Sequence, residues 1–208
     1  MRFQFSILLG LSAASAQIQE LTQEGPFALR AKGQAANSSI DGFITWYNIE
    51  GVPAPNFISY EPGCAPIVGN SSYEWYFNYT GFQQYRGFEV GFLLADPTAN
   101  TTTPSPYHGH PLEITYASNT NVGIALAGSG GYLETGFDAD NKTFSTSYLD
   151  DRAFVPGVPP EFNEDLGYYQ WAVCWQVSGE YRQTLSWVTS GKPQNPTCEL
   201  IDLIRVEF

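Results

Sequence analysis

The chain has 208 residues, a net charge of −12 and only 14% charged side chains. An acidic surface repels phosphate backbones and anionic headgroups, so nucleic acid and anionic membranes are excluded as natural partners. Surface polarity falls instead to Asn, Ser, Thr, Gln and Tyr, which suits an extracellular protein solubilised partly by sugar.

Arg2, the apolar run Phe3–Leu11 and then Ala14-Ser15-Ala16 follow the order of a secretory leader. Residues 1–16 are therefore expected to be a signal peptide, and 17–208 a single β-rich secreted domain. The apolar run is about half of the roughly 20 residues that cross a bilayer, and no later run approaches that length, so no membrane span is expected. Five sequons begin at Asn37, Asn70, Asn78, Asn100 and Asn141, while Asn195 is disqualified by Pro196. Asn78, on the polar side of its alternating run, is the best-argued glycan site.

Period-two alternation runs through the chain in short stretches broken by Gly, Pro, Asn and Ser. Phe27, Leu29 and Ala31 begin it; Tyr73, Trp75, Phe77 and Tyr79 continue it; Leu112 with Ile114 and Val122 with Ile124 follow. The clearest run is Tyr169–Val177, whose odd positions are large and apolar. Ser178-Gly179-Glu180 then reads as a hairpin loop, with Tyr181, Leu185 and Trp187 on one face of the return strand. No window carries a 3.6-residue stripe. About ten short strands with frequent turns predict an antiparallel β-sandwich or closed barrel. A β-trefoil is the alternative, disfavoured because no threefold repeat is visible. Two long loops are expected, Asp96–Pro111 and Asp150–Gly167.

The C-terminal block W-x-V-C, Q-T-L-x-W, G-K-P-Q-N-P-x-C and a closing strand ending R-V lies between Trp171 and Val206. With looser matches at Phe27–Gly33 with Asn37–Gly42 and at Gly136–Phe144, it resembles a family of small secreted ascomycete proteins described only as a domain of unknown function. The resemblance implies a fungal source, secretion and a β-rich fold, and brings no catalytic residues. Three cysteines, Cys64, Cys174 and Cys198, allow three single pairings, and a secreted chain favours oxidation. The family-like block holds Cys174 and Cys198 together and omits Cys64, so the expected bridge is Cys174–Cys198. Pairings through Cys64 stay open.

Few residues suggest chemistry. His108-Gly109-His110 could hold a metal with Glu113, but a third histidine or cysteine is missing and both rings read as loop residues. Gly128-Ser129-Gly130-Gly131 lacks the spacing of a nucleophile elbow. Glu161, Glu164 and Asp165 crowd one loop, and Asp138 to Asn141 reads as a hairpin tip rather than a calcium loop. No cofactor or metal set emerges, and catalytic residues are assigned to none. Trp171, Trp175 and Trp187 are expected in the core. Trp46 and Tyr76, out of phase with their neighbours, are the expected exposed ligand platform. The sequence points to a non-catalytic extracellular or cell-wall-associated binding protein, whose partner is a cell-wall glycan or a host extracellular molecule. A glycan-active enzyme using loop carboxylates and a surface-coating glycoprotein are the alternatives.

Overall fold

A computed structural model describes residues 21–47, 56–63, 65–67, 69–95, 109–128, 131–162 and 166–208. The leader, Cys64, Asn100, His108, Ser129, Glu164 and Asp165 lie outside these residues. Thirteen strands account for most of what is described: β1 (Thr22–Gly33), β2 (Asp41–Tyr47), β3 (Asn56–Pro62), β4 (Trp75–Tyr85), β5 (Phe88–Ala95), β6 (His110–Thr115) and β7 (Val122–Ala127) come first. β8 (Glu134–Phe137), β9 (Thr143–Ser147), β10 (Leu166–Tyr168), β11 (Trp171–Ser178), β12 (Glu180–Val188) and β13 (Glu199–Glu207) complete the set. Two single turns of 3-10 helix, Ser71–Tyr73 and Asp151–Ala153, are the only helical elements among the described residues. Among the described residues no helix is long and apolar enough to cross a membrane.

Every ladder is antiparallel, and the strands join into one large sheet folded over a shared core. It is a sandwich and not a simple barrel, because some strands divide their edges between partners. β1 pairs with β13 along one edge, and gives the other to β4 at its N-terminal end and to β2 at its C-terminal end. The core is built by alternation, with Phe27, Leu29 and Ala31 of β1 meeting Trp171, Val173, Leu185, Ile201 and Leu203 from the C-terminal strands. Three indoles buried there each find a backbone carbonyl, as a buried N–H requires. Trp46 donates to Glu74 O at 3.1 Å, Trp75 to Ile44 O at 3.2 Å and Trp171 to Thr143 O at 2.8 Å.

The expected hairpin is present: Ser178 pairs with Glu180 across Gly179, whose φ of +72° favours a residue without Cβ. The Asp138–Asn141 tip is also a turn, between β8 and β9. Asp138 Oδ1 accepts from the Asp140 and Lys142 N–H groups, and Asn141 sits at φ +58°. Cys174 is bridged to Cys198.

Four expectations change. Trp46 is 8% exposed and part of the core, since Gly42–Trp46 are buried on both faces of β2 and phase there does not separate inside from outside. Tyr76 is half-buried, its hydroxyl donating to Glu74. Asn78 is 1% exposed, flanked across the ladders by Gln23 and Phe92, and its Oδ1 accepts from Gln23 Nε2 at 2.8 Å. His110 is no loop residue: it opens β6 opposite Ala95.

Tyr169 makes the fold sensitive to alkali. Burial, and then its hydrogen bond to Asp138 Oδ2, push its phenol up to about 12. An unfolded phenol ionises near 10, so the contribution is complete below that pH and is lost as pH rises through 10 toward 12. Stability should fall across this window, and Tyr169→Phe should flatten the fall. An unfolding series whose alkaline slope is unchanged by the substitution would contradict this.

Candidate functional site

A single connection dominates one region of the surface. β9 leaves the sheet at Ser147, and β10 returns to pair Leu166 with that same residue. The intervening chain is therefore rooted on a hairpin, and its residues line three concavities. Near its start, Asp150 caps the 3-10 turn: its Oδ1 accepts from Arg152 N at 3.0 Å, and the Arg152 guanidinium closes a bidentate pair at 2.8 Å to each carboxylate oxygen. That hydrogen-bonded guanidinium holds the Asp150 carboxyl below its usual range. A tight turn follows, bridged between Val155 and Val158 with Gly157 at φ +79°. Phe162 then comes back against Tyr148, ring centroids 5.6 Å apart.

Facing this loop, β4 carries a large bulge. From Tyr79 to Gln84 it advances five residues while β5 advances two, from Gly91 to Glu89. Gly81, at φ +72° with open space where a Cβ would be, permits the bend. The extra residues leave the ladder, and Phe82 is turned outward to 80% exposure. Phe82, Tyr148 and Phe162, the last 74% exposed, line a groove of about 400 Å³. Its polar lining includes Gln83, Gln84, Thr146 and Ser147. These groups are held: Gln83 Nε2 donates to Glu134 Oε2 at 3.0 Å, and Gln84 Nε2 to Glu89 Oε1 at 2.7 Å. The groove thus offers flat apolar rings beside fixed amides and hydroxyls. Such a surface can stack the C–H face of a sugar and hydrogen-bond its hydroxyls.

A second exposed aromatic cluster corrects another expectation. Trp175 is 42% exposed rather than in the core, and it lies 5.2 Å from Tyr181, with Val177 also exposed. The same face of β11 is buried at Trp171 and Val173 and open at Trp175 and Val177, because the covering layer ends partway along the hairpin. Trp175 is pinned by its backbone, since its N–H donates to Thr197 Oγ1 and its carbonyl accepts from Asn195 Nδ2.

Among the described residues, the acids singled out in the sequence do not converge on a centre. Asp138 is spent on its turn and on Tyr169, and Glu161 is exposed on the loop. Among the described residues no group of three His, Cys, Asp or Glu could hold a metal. The sequence reading missed Phe82, Tyr148 and Phe162. The one signal for Phe82 was the break in alternation at Gly81 after Trp75, Phe77 and Tyr79. Comparison with protein-family models, curated proteins and solved structures finds no match to this chain.

Proposed function

We propose that this is a secreted, N-glycosylated fungal protein that binds a cell-wall or host glycan without transforming it. The observation that carries the reading is the groove of Phe82, Tyr148 and Phe162, three rings held out of the core beside fixed amide and hydroxyl groups. Exposing such rings costs solvation free energy unless a ligand covers them, and a concave apolar patch with convergent polar groups fits a binding site. The Cys174–Cys198 bridge agrees with an oxidising compartment. The resemblance of the C-terminal block to the secreted ascomycete family supports the source and the location.

Sedimentation with insoluble glucan and chitin tests the reading. The protein should enter the pellet with at least one of them, resist elution by salt, and be released by soluble oligosaccharide. Ring stacking is little screened by ions, so salt should matter less than competitor. Protein left in the supernatant across the whole panel would overturn the reading.

Glycan attachment should follow exposure. Asn37 and Asn141 are exposed, whereas Asn70 Oδ1 is engaged by the Ser72 N–H and hydroxyl. Asn78 is buried with its Oδ1 bonded to Gln23. Site mapping after enzymatic deglycosylation should find Asn37 and Asn141 occupied and Asn78 bare. A fully occupied Asn78 would contradict the packing of β4.

A further inference from the structure

Next to the aromatic groove lies a second cleft, of about 670 Å³, that shares Thr146 and Ser147 with it. Its apolar lining comes from Trp187, Tyr168 and Leu133, and its polar lining includes Gln170 and Thr189. Trp187 lies against Trp171 edge to face at 4.8 Å, so its ring is fixed, and the residue as a whole is 8% exposed. Asp150, Asp151 and Arg152 also line the cleft. Asp150 and Arg152 neutralise each other, and Asp151 leaves the rim negative.

We propose that the cleft continues the groove, so that the site takes an extended neutral oligosaccharide rather than a single sugar. One stretch stacks on Phe82, Tyr148 and Phe162, and the next passes Ser147 into the cleft beside Trp187. The two concavities share Thr146 and Ser147 of β9, and the loop rooted on that strand lines both. The charge on the rim, together with a chain net charge of −12, selects against polyanions. Gln170 and Thr189 supply the hydrogen bonds that a second run of hydroxyls needs. This proposal rests on the glycan reading above.

Calorimetric titration of the full chain with neutral glucan and chitin oligomers, from disaccharide to hexasaccharide, tests it. Affinity should rise about tenfold along the series, the gain expected from one or two net hydrogen bonds, and then level off. The double variant Gln170→Ala/Thr189→Ala should lose that rise while keeping the affinity for disaccharide. A hexasaccharide that binds no tighter than the disaccharide would overturn the continuation and leave the glycan reading standing. Tighter binding of a linear polyanion, such as polygalacturonate, would overturn the neutral class. No binding at any length would defeat the glycan reading itself, and the continuation with it.

Discussion

Replacing Trp171 by alanine should lower stability by about 4 to 5 kcal/mol, the upper range for truncating a buried indole. The side chain is fully buried, packs edge to face on Trp187, and donates its indole N–H to Thr143 O. Truncation would leave a large cavity at the centre of the core and a carbonyl of β9 without its donor. For a chain of this size the melting temperature should fall by about 8 to 20 °C. Trp171→Phe keeps most of the apolar volume and loses the donor, so it should recover more than half of the loss. Because Thr143 begins β9, hydrogen exchange should also speed up along β9 and β10, the root of the binding loop. A loss below about 1 kcal/mol for the alanine variant would show that the core is not organised around this residue.

Cys198→Ser should cost about 3.5 kcal/mol, the chain entropy restored to the unfolded state when a loop of this length opens. The bridged residues are separated by 24 positions, and Cys174 is fully buried while Cys198 is half-buried. The bridge ties the start of β13 to β11, where backbone pairing stops at Val173 with Glu199. Other bonds hold the same loop: Asn121 Nδ2 donates to Ser190 O and Lys192 O, and Gln194 N–H donates back to Asn121 Oδ1. The loop should therefore stay docked in the reduced protein, with the melting temperature lower by about 7 to 14 °C. Cys64→Ser should leave it nearly unchanged. Non-reduced peptide mapping that joined Cys64 to either partner would refute the assignment.

What could be read from the sequence was what alternation encodes. It located the C-terminal hairpin, the strand from Trp75 and the core side of β1, because large apolar side chains recur there at every second position. It failed where burial does not follow the phase of the alternation. β2 is buried on both faces, so Trp46 could not be recognised as core from its phase. The Trp171 face of β11 is covered only over its first half, so Trp175 shares that face and not its environment. Asn78 illustrates the same limit, since a polar side chain on the outer face of β4 is enclosed by Gln23 and its neighbours from other strands. The groove was the least legible part. It arises from a bulge at Gly81 meeting a loop rooted far along the chain, and neither leaves a periodic trace.

The most direct test of the account is the affinity of the best-bound soluble oligosaccharide for three proteins: wild type, Phe82→Ala/Phe162→Ala and Trp175→Ala. Both phenylalanines are highly exposed, so the double variant should fold with an unchanged melting temperature. Loss of two stacking rings should cost about 2 kcal/mol, a weakening of about thirtyfold. Trp175→Ala, on the separate hairpin patch, should bind as wild type does. Unchanged affinity in the double variant, or loss of binding in Trp175→Ala alone, would contradict the account and move the site away from the groove.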